Sequence, residues 1–123
     1  MSTQGISRDE WPAFFDSFSL RHQGWLVTVE VFGSDIGAQV EARELPLQGI
    51  TAELKREGEN AISIIVGDTQ EHHVTHTIAA PTRVILKRTE EGADEAIEIE
   101  SAARTTLVRF RSAVPTEMVD GIL

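Results

Sequence analysis

The chain contains no cysteine. Disulfides, thiolate nucleophiles, zinc fingers and iron–sulfur ligation are therefore excluded, and a reducing cytoplasm is the expected compartment. No apolar run approaches the roughly 20 residues that cross a bilayer, and the amino terminus MSTQGISRDE has no apolar stretch behind a basic flank. Neither a membrane anchor nor export is expected. Positive charge is scarce: 11 Lys and Arg face 20 Asp and Glu, a formal net charge of −9. Such an acidic chain repels a phosphate backbone, so nucleic acid is not an expected partner. The phosphate loop, the dinucleotide glycine fingerprint and the nucleophile elbow are missing too, and no cofactor is implied.

What remains is the composition of one soluble globular domain. The 123 residues, 41% hydrophobic and 25% charged, are enough to bury a core without staples and too few for two comfortable domains. The expected domain spans 1–123: a helix at about 9–20, a strand region at about 24–112 and a tail at 113–123.

In SRDEWPAFFDSFSL, Trp11, Phe14, Phe15 and Phe18 recur at helical spacing and place four large side chains on one face. Asp9 is the preferred cap, because it keeps Pro12 in the first turn, where a missing N–H costs little. After HQG the period changes to two. Trp25, Val27, Val29 and Val31 alternate with polar residues, and so do Ile50, Ala52 and Leu54 after a Pro46 interruption. Ile62, Ile64 and Val66 share a face, with Ile65 on the other, which the helix could cover. Val84 and Leu86, Ile97 and Ile99, and Thr106, Val108 and Phe110 continue the rhythm. A two-residue turn at Ala102 and Ala103 sets Ile97 opposite Val108 and Ile99 opposite Thr106, so both inner faces agree. The expected fold is mainly β (α+β): an N-terminal amphipathic helix packed on an antiparallel meander of seven or eight strands, curled into a barrel or a strongly bent sheet.

The stretches WPAFFDSFS, RELPLQGI, PTRV, GADEAIEIES and TLVRF resemble a family of small bacterial domains of unknown function. The resemblance covers almost the whole chain and implies no catalytic or binding residue. It does imply a glycine-containing turn before TLVRF, where this chain has Ala102, Ala103 and Arg104.

Three of the four histidines cluster in EHHVTHTI, residues 71–78. Read as a strand, the segment puts His72 and His76 on one face, roughly 13 Å apart, and His73 on the other. A zinc ion holds its nitrogens at about 2.1 Å, so a straight strand cannot share one, and no metal is expected. His72, His73 and Asp68 are the candidates if catalysis exists. Arg83, Arg109 and Arg111 are candidates for an anion or ligand patch, although a charge ladder with Glu98 and Glu100 explains them as well. The functional expectation is a non-catalytic protein-interaction or regulatory module that binds itself or another protein. The alternatives are a small-ligand-binding barrel and a small enzyme using histidine and carboxylate residues. Apolar residues on outward faces, Leu26, Phe32, Ile65, Ile85 and Leu107, motivate self-association.

Overall fold

A computed structural model describes residues 2–55, 59–68 and 73–111. The order is β1 (Ser2–Ile6), a 3-10 turn (Arg8–Glu10), α1 (Trp11–His22), β2 (Leu26–Gly33), β3 (Gly37–Glu53), β4 (Ala61–Gly67), β5 (His73–Ala79), β6 (Arg83–Arg88), β7 (Asp94–Glu100) and β8 (Arg104–Phe110). All eight strands form one antiparallel sheet in the order β1-β6-β7-β8-β2-β3-β4-β5. Among the described residues it bends strongly but does not close, so β1 and β5 are its two edges.

The helix is where the aromatic period places it, with two differences. A strand precedes it, and it is entered through the 3-10 turn; neither Ser7 nor Glu10 makes a side-chain capping bond, so Asp9 is not the cap. Pro12 does lie in the first turn. The buried stripe is Trp11, Phe15, Phe18 and His22, while Phe14 is half-buried at its flank. Trp11 Nε1 donates to the Ile6 carbonyl at 2.9 Å, tying the helix start to β1. After α1, Gly24 adopts φ +88 and donates its N–H to the Leu47 carbonyl at 2.8 Å, a conformation that suits glycine. Trp25, expected in the strand, lies just before it and is 41% exposed.

β3 creates the bend. Pro46 does not divide it: the first part pairs with β2 and Leu47–Glu53 pairs with β4. Register shifts between Val27 and Val29, Val29 and Glu30, and Leu47 and Gly49 each insert an extra residue on β3. Bulges bend and twist a strand and reverse the phase of its side chains. The core-facing residues of β3 are accordingly Ala42, Leu45, Leu47, Ile50 and Ala52, and both three-residue steps contain a bulge. At the first, Glu44 has φ 51 and donates its N–H to Thr28 Oγ1 at 3.2 Å.

The curl encloses one core. Val27, Val29, Ile62, Ile64, Val84, Ile97, Ile99, Val108 and Phe110 are buried against the helix stripe. The β7–β8 register sets Ile97 opposite Val108 and Ile99 opposite Thr106. Ser101 donates to the Arg104 carbonyl at 2.9 Å across the Ala102–Ala103 turn, so the hairpin closes without glycine. The tail expected at 113–123 lies outside the described residues.

Candidate functional site

The parity of β5 decides which of its backbone groups face outward from the sheet. Ser19 Oγ of α1 accepts from the Ile50 N–H at 2.8 Å and donates to the Ile50 carbonyl at 3.1 Å. The Ile50 backbone thus points away from β4. Its partner Ile64 must then point away from β3 and toward His76, its partner on β5. The Ala80 N–H donates to the Asn60 carbonyl at 2.9 Å, which independently gives the same parity. The backbone groups of Val74, His76 and Ile78 therefore bond β4, and those of Thr75 and Thr77 face outward from the sheet. Among the described residues no strand pairs with this side of β5.

Val74, His76 and Ile78 share the concave face, where Ile78 is buried, His76 half-buried and Val74 39% exposed. Below them lies a cleft of about 300 Å³ between β5 and the β7–β8 hairpin, lined by His76, Ile78, Val31, Ala103, Arg104 and Thr106. Burial holds the His76 imidazole below its ordinary range, and the Glu41 carboxylate opposes that shift in part.

His72 lies outside the described residues. His73 and Asp68 are exposed and line one open hollow with Leu45 and Val74. Among the described residues, no three His, Asp or Glu side chains come together as a metal set would. Arg83 lies 3.7 Å from Glu100, Arg109 2.9 Å from Glu30 and Arg111 3.4 Å from Glu44. The three arginines each face a different carboxylate rather than one shared space. Lys87 meets Glu98 at 2.9 Å, completing a cross-strand ladder on the convex face. The Glu98 and Glu100 carboxyls share a hydrogen bond that lowers the first and raises the second, with Lys87 also holding Glu98 ionised.

One polar centre was not foreseen. His22 is only 3% exposed; its Nδ1 donates to the Phe18 carbonyl at 2.8 Å and its Nε2 lies 2.9 Å from Asp94 Oδ2. Both ring nitrogens face acceptors. The ring stacks on Phe18 at 3.9 Å and Phe110 at 5.3 Å, and Arg88 Nε binds Asp94 Oδ1 at 3.2 Å. This arrangement joins helix to sheet and leaves no face of the imidazole open to a substrate. Its sequence signal was its place at helical spacing after Trp11, Phe15 and Phe18.

The model of a family of unknown function, DUF5335, matches residues 2–118. The chain belongs to this family. An uncharacterized protein of Aquifex aeolicus (strain VF5) is 28% identical over 116 residues, covering 94% of this chain and 97% of that protein. No solved structure matches. The family membership extends over both the helix and the sheet, including β5, and the family carries no assigned activity. No helix among the described residues is long and apolar enough to cross a membrane.

Proposed function

We propose that this DUF5335 protein is a non-catalytic interaction module of the cytoplasm that takes up a partner strand along β5. One observation carries the reading. HVTHTIA is a seven-residue edge strand with no proline, no Lys, Arg, Asp or Glu, and no bulge against β4. Edges are ordinarily blunted by such features, because an uncharged regular edge is a template for another strand. The opposite edge strand, β1, contains Gly5, which weakens a strand. The outward residues that motivated self-association, Leu26, Phe32, Ile65, Ile85 and Leu107, are all half-buried. They are weaker anchors than the edge.

Thr77→Pro tests the reading, since the Thr77 N–H points outward and its loss leaves the β4 ladder intact. A phage-displayed library of extended peptides should enrich uncharged β-branched sequences that bind the native protein and not Thr77→Pro. Failure to enrich any peptide, together with turnover in a substrate panel that disappears in His73→Ala or Asp68→Asn, would transfer the protein to the enzymes. The cleft under β5, about 300 Å³, is at the lower limit of small-ligand sites. It supports a ligand-binding reading only if a small molecule, rather than a peptide, protects His76.

A further inference from the structure

We propose that the strand added to β5 is β5 of a second copy of this chain, paired antiparallel about a two-fold axis through His76. The proposal rests on the strand-addition reading and names its partner. A two-fold interface must be self-complementary: if residue i meets j, then j meets i. The strand runs from residue 73 to residue 79, so the antiparallel register with the greatest overlap centres on residue 76. That register sets Val74 against the partner's Ile78 on the concave face and Thr75 against the partner's Thr77 on the convex face.

Each pairing is chemically matched. Val74, the exposed apolar residue of the edge, gains an apolar neighbour. Thr75 and Thr77 are the positions whose N–H and C=O face outward, so they form the hydrogen-bonded pairs of the new ladder. Threonine pairs across strands are favourable in themselves. His76 meets its symmetry mate at a non-hydrogen-bonded position, where opposed Cα atoms are about 4.5 Å apart. No Lys, Arg, Asp or Glu of either β5 opposes a like charge. The other groups facing His76 are Glu41 on β3 and Arg104 across the cleft. Two imidazoliums at the axis would repel each other, so the dimer weakens as the solution is acidified through the histidine range.

The absence of cysteine from the chain makes the register directly testable. A His76→Cys variant places one thiol from each copy at the axis, within the range of disulfide geometry. In Val74→Cys the two thiols lie four strand positions apart, roughly 13 Å. Mild oxidation should cross-link His76→Cys and not Val74→Cys. Analytical ultracentrifugation of the native protein should show a dimer. Thr77→Pro should weaken it about tenfold or more, and Val74→Glu, at an exposed position of the single copy, should do the same if the proline variant folds poorly. A dimer unaffected by either change, or equal cross-linking of both cysteine variants, overturns the proposal. So does a monomer at every concentration; enriched peptides that still bind would then leave strand addition standing with a different partner, and loss of both would remove the two readings together.

Discussion

Two histidines on the same fold behave differently because their surroundings differ. His22 is enclosed by Phe18, Phe110 and Trp25 and anchored to Asp94. Truncating it leaves a hole between aromatic rings and removes one partner of a mostly buried carboxylate. His22→Ala should lower stability by about 3 kcal/mol in urea melts; a change within about 0.5 kcal/mol would contradict the anchoring role. His76, by contrast, sits at the rim of the cleft, where burial lowers its proton affinity and Glu41 opposes that shift in part. Its folded-state proton affinity is below the ordinary histidine value of about 6.5. As pH falls below that value, the unfolded chain binds this proton before the folded chain does, so stability falls. In dilute protein, His76→Asn should flatten the slope of stability against pH in the window beneath 6.5, as thermal melts at stepped pH can measure.

At the scale of the element, the contact between α1 and β3 shows how a helix can serve as a strand's partner. Past Leu47, β3 turns away from β2, and the Ile50 amide and carbonyl would be left without a ladder. Ser19 supplies both a donor and an acceptor to that one residue. Ser19→Ala should therefore cost about 1–3 kcal/mol, more than a typical surface serine, because the Ile50 backbone loses its bonds in a partly buried place. Ser19→Thr, which keeps the hydroxyl, should recover part of that loss in the same urea titration. The groove beside this contact, lined by Leu20, Gly49 and Ile65 among others, explains why Ile65 is half-buried on the otherwise outward face of β4.

Helix and sheet bury the same residues, so the molecule as a whole should unfold as one cooperative body. Phe15, fully buried, packs within the same cluster as Val27, Ile62, Ile97 and Phe110. Phe15→Ala should destabilise by about 3–5 kcal/mol if the site cannot collapse. Unfolding followed by tryptophan fluorescence and by far-UV circular dichroism should coincide, because Trp11 and Trp25 flank the helix while the dichroism reports mainly the sheet. Separate transitions would show that α1 detaches before the sheet melts. Trp11 is buried and Trp25 is 41% exposed, so Trp25→Phe isolates the fluorescence of the core residue.

The amino-acid sequence by itself determined the local elements and much of the pairing. Aromatic spacing announced α1, alternation announced β2, β4, β6, β7 and β8, and the matched faces of Ile97, Ile99, Thr106 and Val108 announced the register of the last hairpin. These signals are legible because a side chain's face follows from its own position in a regular element. Tertiary structure alone decided the rest. Pro46 marked an interruption in sequence, yet β3 continues through it because bulges absorb the misfit, and a bulge depends on the partner strand. β1 was invisible because it gains order from β6, more than 70 residues away in the chain. His22 and Asp94 are also more than 70 residues apart in sequence and meet only after the sheet has curled. The histidines of residues 71–78 drew attention as a cluster, but what distinguishes β5 is which of its amides face outward, a parity that follows from the bond between Ser19 and Ile50 two strands away. Non-local hydrogen bonding assigns that direction, and no pattern within seven residues can contain it.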